Sequence, residues 1–296
     1  MGHYNQQDFL VDGTKTFVIS KAQTRIKDIY DDKKEYEKML SDSIGELDEM
    51  QNMMYAHNRY GLLVIFQALD AAGKDGTVRH VLSGVNPAGI RVYSFKKPTA
   101  TELEHDYMWR TTRELPERGA ITIFNRSYYE EVLVVKVHPE ILADAQLLPD
   151  ELKTDVDKVM KNRYKDIRNF EKYLYRNGIR VVKFFLHISK EEQADRLIER
   201  IKDPGKNWKF EEGDVKERNY WGAYQKAFED CINATATSKC PWYVIPADDK
   251  KNMRLIVGKI IGEEMKKMDM KYPETSPERA AELQKYIEII QGQNKK

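Results

Sequence analysis

Lys74 follows Gly73 directly, with Asp70 four residues earlier, where the strand-forming run Leu62 to Gln67 gives way to a segment of helical periodicity. A buried strand, a tight loop of small residues and a helix N-terminus bring backbone N–H groups together on an anion, while a lysine reaches its outer charge. The segment reads as a phosphate cradle, with Ala71, Ala72, Gly73, Asp75, Gly76 and Thr77 as its contacts. It departs from G-x-x-x-x-G-K-[ST] twice, since Ala68 replaces the first glycine and Asp75 the hydroxyl residue. A carboxylate beside bound phosphate is repelled unless a cation intervenes, so Asp70 is the candidate magnesium ligand, directly or through water. The competing roles are an Asx-type turn residue for Asp70 and a solvated side chain for Lys74.

Asn125-Arg126-Ser127 follows the short apolar run Ala120 to Phe124. An acidic, metal-positioning residue is expected at the end of such a strand, and here the position holds the amide of Asn125. Arg126 offers a planar fork to phosphate oxygens, or else pairs on the surface with Glu130 or Glu131 at helical spacing. Glu130 or Glu131 is the candidate for the negative charge that Asn125 lacks. Asn125, Ser127 and Trp208 are the expected nucleotide contacts.

Basic residues crowd Arg196 to Arg218, where Asp203-Pro204-Gly205 interrupts two helical patterns. A basic flap closing over a phosphate site excludes water and brings cations to the transferring group; a charged hairpin in solvent is the plainer reading. Arg196, Arg200, Lys206 and Lys209 are its candidate phosphate ligands, and Trp208 needs a nucleobase or a neighbouring subunit to pack on. Lys96, Lys97, Arg110, Arg113 and Arg168 add cations that, with the flap, extend into a track longer than one nucleotide's phosphates need. His3, His57, His80, His105, His138 and His187 show no paired metal spacing.

The elements that must position these residues alternate strand with helix. Strands are expected near Leu62 to Gln67, Arg91 to Phe95, Ala120 to Phe124, Arg180 to His187 and Pro241 to Pro246. Helices are expected from Thr24 to Asn58, as one long helix or two joined ones with a mild interruption at Tyr30 to Tyr36, and over Gly76 to Ser83, Thr99 or Thr101 to Leu115, Tyr128 to Val137, Asp150 to Asn177 and Lys190 to Lys202. Residues 1 to 22 read as an arm without a period. This order predicts an α/β fold with a parallel five-stranded sheet covered by helices on both faces. Ligands of such sheets sit at the carboxyl ends of the strands, which gathers Asp70 to Lys74, Lys96-Lys97, Asn125-Arg126 and Ala247-Asp248-Asp249 on one edge. The expected division is an arm and long helix in 1–58, an α/β domain in 59–271 with its lid at 196–218, and a linker and short helix in 272–296.

A chain of 296 residues, 41% of them hydrophobic, can bury a sizeable core without staples, and Cys231 and Cys240 have no ligand or framework spacing. No segment has the roughly 20 consecutive apolar residues of a membrane span, and MGHYNQQDF has no apolar signal region. Met1-Gly2 lacks the hydroxyl residue that an acylation signal needs. The expectation is a cytoplasmic protein without membrane partners. A net charge of +1 with 33% charged residues argues against nucleic acid as a partner and makes any strong field local.

Gln67 to Thr77, Phe124 to Ser127 and the flap segment Asp203 to Lys209 together resemble, in order and spacing, the three motifs of polyphosphate kinase family two, and the similarity extends from about Leu62 to Asp249. The resemblance implies a P-loop kinase fold similar to thymidylate kinase, with a helical lid. It implies phosphoryl transfer between inorganic polyphosphate and nucleotides with magnesium, or manganese in its place. Ala68 and Asn125 are similar to the subgroup that accepts both AMP and ADP, which implies ATP made from AMP in two steps. Homodimers or homotetramers are implied too. On this reading Asp70, Lys74 and Arg126 are the catalytic residues. The competing readings are an ATP-dependent nucleoside monophosphate kinase and an inactive polyphosphate-binding scaffold.

Overall fold

The computed structural model describes residues 5–144 and 148–293; Met1-Gly2 and His3 lie outside them. Its centre is a sheet of strands β1 (Leu10–Val11), β2 (Gly61–Gln67), β3 (Ile90–Ser94), β4 (Ile121–Asn125), β5 (Ile179–His187) and β6 (Trp242–Pro246). The spatial order is β1-β6-β5-β2-β4-β3. Every pairing from β2 to β6 is parallel, while β1 runs antiparallel to β6, with Leu10 opposite Tyr243. β1 corrects the expectation of a five-stranded sheet. Two residues are too few for a periodic signal, yet they cover an edge that would otherwise present free backbone groups. The arm continues along helix Trp221–Thr235, where Asn233 bonds both backbone groups of Phe17 and Glu229 accepts from the Ile19 N–H.

Two apolar layers fill the space between sheet and helices. Leu62, Val64 and Phe66 of β2 face helices Lys33–His57, Lys74–Val81 and Lys250–Lys266. Leu63 and Ile65 face helices Glu130–Val137, Val156–Arg176 and Trp221–Thr235. A strand buried on both faces cannot alternate polar and apolar residues, which is why β2 reads as an uninterrupted apolar run.

Three helices differ from their expected spans through local side-chain bonding. Residues 24 to 32 are irregular, because Asn252 bonds the Ile29 N–H and the Lys27 carbonyl, and Asp32 caps the helix that starts at Lys33. Asp155 likewise caps Lys158 and splits Asp150–Lys153 from Val156–Arg176. Thr99 and Glu102 form a capping box on Ala100–Leu103, and the Asp106 carboxylate accepts from Met108 N–H before a new turn at Trp109–Thr112. Such caps compete with helix continuation because they satisfy the same backbone donors.

Candidate active site

β2 has β5 on one side and β4 on the other, so the loop after β2 stands where the strand order reverses, the place where α/β sheets bind ligands. Ala71 (φ 62) and Gly73 (φ 103) both adopt left-handed backbone there. Gly73 is the N-cap of helix Lys74–Val81, and no side chain bonds the first-turn amides. At Gly73 a side chain would be strained by its φ, and an added Cβ would lie 3.3 Å from Met253 Cε. Uncapped amides and the helix dipole thus face one small space, which suits a phosphate group.

Lys74 lies beneath this loop, 9% exposed. Its Nζ donates to the carbonyls of Ala68 at 2.8 Å and Leu69 at 3.4 Å. Its third N–H has no protein acceptor among the described residues, so a cationic donor is held at the cradle with one bond open. Burial pushes its pKa down from 10.5 to about 8, the Arg126 guanidinium adds to that, and Asp70, Glu130 and Asp75 oppose it.

Arg126, itself in left-handed backbone (φ 64), closes the other side. Its Nη2 lies 2.6 Å from Asp70 Oδ1 and its Nη1 3.5 Å from Glu130 Oε2. Glu130, and less strongly Asp70, raise its pKa against the effect of burial. Asn125 donates from Nδ2 to Asp75 Oδ1 at 2.5 Å, while its buried Oδ1 has no hydrogen-bond partner among the described residues. Among the described residues no group of three or more His, Cys, Asp or Glu side chains converges on one point. Asp70 and Glu130, both beside Arg126 and lining one cavity, form a sparse donor set. It suits Mg2+, which keeps several waters and takes one or two carboxylates together with substrate phosphates.

The other expected site residues divide into two groups. Lys96 and Lys97 are exposed at the end of β3, and Arg110 donates to the Lys96 carbonyl and packs over Phe95, while Arg113 lies over Trp109. On the flap, Arg200 pairs with Asp214, Lys206 with Asp203, and Lys209 sits over the Trp208 ring, which is 74% exposed. Four residues are placed elsewhere. Ser127 is fully buried and accepts from the Tyr129 N–H, so it shapes the turn rather than facing the cradle. Glu131 is buried against Arg163, leaving Glu130 as the carboxylate beside Arg126. Arg168 lies on the outer face of helix Val156–Arg176, lining a different cavity. Arg196 is buried and spends its guanidinium on the carbonyls of Ala71, Ala72, Ala247 and Asp248, so it holds the cradle from below.

Sequence reasoning missed the residues that tie cradle to flap. Gln193 donates to the Asp70 carbonyl at 3.0 Å and accepts from Arg218 at 2.6 Å. Glu217 accepts from Tyr224 and meets His138 Nε2 at 3.0 Å, which links the flap to the end of helix Glu130–Val137. Nothing in the spacing of Gln193 or His138 marks them, since their partners lie far away in sequence.

The family model of Polyphosphate kinase 2 (PPK2) matches residues 30–273. The chain belongs to this family. It is 51% identical over 265 residues to the ADP-polyphosphate phosphotransferase of Rhodopseudomonas palustris, covering 90% of this chain and 91% of that one. It is 45% identical over 236 residues to the AMP/ADP-polyphosphate phosphotransferase of Meiothermus ruber, with 80% and 82% covered. The fold agrees with the crystal structure of polyphosphate kinase 2 from Arthrobacter aurescens at TM-score 0.84, with 32% identity over 95% of each chain.

Proposed function

We propose that this chain transfers the terminal phosphoryl group of inorganic polyphosphate to ADP and AMP, forming ATP and ADP, and catalyses the reverse reactions. The observation that carries the reading is the open third donor of the buried Lys74 ammonium beside an uncapped helix N-terminus. The attacking oxygen of a nucleotide phosphate is already anionic, so no general base is needed and catalysis is positioning and charge stabilisation. Lys74 and the loop amides hold the phosphates around the transferred group. Arg126, released from Asp70, binds its equatorial oxygens, and Arg200, Lys206 and Lys209 approach as the flap closes. Asp70 and Glu130 would hold Mg2+, whose chemistry is to neutralise charge on the phosphate oxygens. A cytoplasmic setting and a homodimer or homotetramer belong to the same reading. Leu283, Tyr286, Ile287 and Ile290, all exposed on helix Pro277–Gln293, support assembly.

The test supplies polyphosphate and magnesium with ADP or with AMP, and no ATP. ATP is expected from ADP, and ADP followed by ATP from AMP. A requirement for added ATP would establish the monophosphate-kinase reading instead, and polyphosphate binding without product would establish the scaffold.

A further inference from the structure

A cavity of about 590 Å³ opens between helix Val156–Arg176 and the turn that precedes β6. Lys165, Arg168, Lys172, Arg176 and Lys239 line it, and among the described residues no carboxylate does. All five are exposed. The four from the helix recur at intervals of three or four residues, which stacks like charges along one face, a mutually repulsive arrangement. On the same helix Glu171 is engaged with Lys183, and Asp166, exposed beside Lys165, lies outside the lining. Among the described residues none of the five cations has a salt-bridge or hydrogen-bond partner. In a chain of net charge +1 this is strong local segregation, of the kind that concentrates an anion.

We propose that this groove binds inorganic polyphosphate at a distance from the cradle and anchors long chains whose end reacts there. Arg176 leads into β5 and Lys239 into β6, so the groove lies toward the amino ends of strands whose carboxyl ends carry the active site. The nine residues of β5 separate the two regions by about 30 Å. A chain long enough to reach both sites gains from the second contact through effective concentration, and a short one does not. Polyphosphate fits better than single-stranded nucleic acid, which needs open aromatic faces for its bases. The one aromatic of the lining, Tyr175, has Arg180 at 4.1 Å and Lys239 at 5.3 Å over its ring.

The test is Lys172→Glu with Arg176→Glu, assayed with ADP and polyphosphate of either about a hundred units or fewer than about ten, alongside equilibrium binding of labelled long chains. The KM for long chains is expected to rise about tenfold at low salt and their binding to weaken in step. The value of kcat and the KM for short chains should stay unchanged. The neutral pair Lys172→Gln with Arg176→Gln, expected to give a shift of about threefold, covers misfolding of the reversed pair. Long-chain binding and KM that do not move, or long and short chains that shift together, would overturn the groove. So would an oligonucleotide that displaces long chains as well as polyphosphate does. The proposal rests on polyphosphate as substrate, but the binding arm reads the groove without turnover, so its failure is separable from failure of the activity.

Discussion

Lys74 and Lys183 are both buried in the sheet region, one at the carboxyl edge and one in the interior, and their surroundings differ in kind. Lys183, fully buried in β5, places its three N–H bonds on Glu171 Oε2 at 2.6 Å, Tyr129 Oη at 3.1 Å and the Thr235 carbonyl at 3.0 Å. Glu171 in turn accepts from the hydroxyls of Tyr128 and Tyr129. Every donor and acceptor of that group is answered. Among the described residues Lys74 meets only two carbonyls and no carboxylate within ion-pair distance, which leaves charge and a donor for a ligand. A fully answered buried charge specifies a fold, whereas a partly answered one is held ready for an anion.

The sharpest break of this comparison is Lys183→Met. It leaves Glu171 charged and buried without its counterion, a loss expected to cost about 3–5 kcal/mol in urea unfolding. Adding Glu171→Gln removes the stranded charge and should recover more than half of that loss. Turnover per folded molecule should persist in the double variant, because neither residue touches the cradle. If the double variant were no more stable than the single, pairing would not explain the interior lysine.

Lys74→Met should do the reverse, lowering turnover with polyphosphate about 10²–10³-fold while leaving stability unchanged or raised. The pH dependence carries the same sign in finer form. Folding disfavours the protonated lysine, whose pKa falls from 10.5 to about 8, so stability from this group increases as pH rises between those values. Anion binding needs the protonated form, so the KM for polyphosphate should climb above pH about 8, approaching tenfold per unit. Stability and affinity thus move oppositely over one pH interval. A KM that stays flat to pH 10, or a Lys74→Met variant that keeps the wild-type rise, would remove Lys74 from the phosphate site.

The two lysines also show what the sequence makes legible. Lys74 is visible because glycine, lysine and the preceding apolar strand are neighbours in the chain, and the same locality made β2 to β6 and helix Lys190–Lys202 readable. Lys183 interrupts the apolar run Val181-Val182-Lys183-Phe184-Phe185, a signal that a buried partner must exist, but the partner Glu171 lies on a helix whose own pattern looks merely charged. Arg196 reads as a flap cation because its engagement with four carbonyls depends on Ala71 and Ala247 arriving from distant strand ends. Short elements such as β1, and caps such as Asp155, were hidden for a different reason, since one side chain decides them and periodicity averages over many.

His138 lies between the two extremes and tests whether pairing alone separates them. Both ring nitrogens meet carboxylates, Glu140 at 3.1 Å and Glu217 at 3.0 Å, and Tyr220 and Tyr224 pack against the ring. Burial works against its charge, yet the hydrogen bonds it donates to Glu217 and then Glu140 hold its pKa above the usual 6.5. A raised folded pKa gives stability that is complete below the unfolded value and lost as pH rises through the folded one. Because Glu140 is exposed and Glu217 partly so, solvent screens the pairs and this contribution should stay under about 1 kcal/mol. His138→Gln should therefore remove a small acid-side stabilisation, measured as the difference in urea midpoint between pH 5.5 and 8. It should also loosen the flap through Glu217, raising the KM for nucleotide by about twofold at the lower pH with kcat unchanged. A variant whose midpoint difference matches wild type would show that the ring's two carboxylate contacts carry no charge-dependent energy, and would leave the interior network of Lys183 as the case where pairing decides stability.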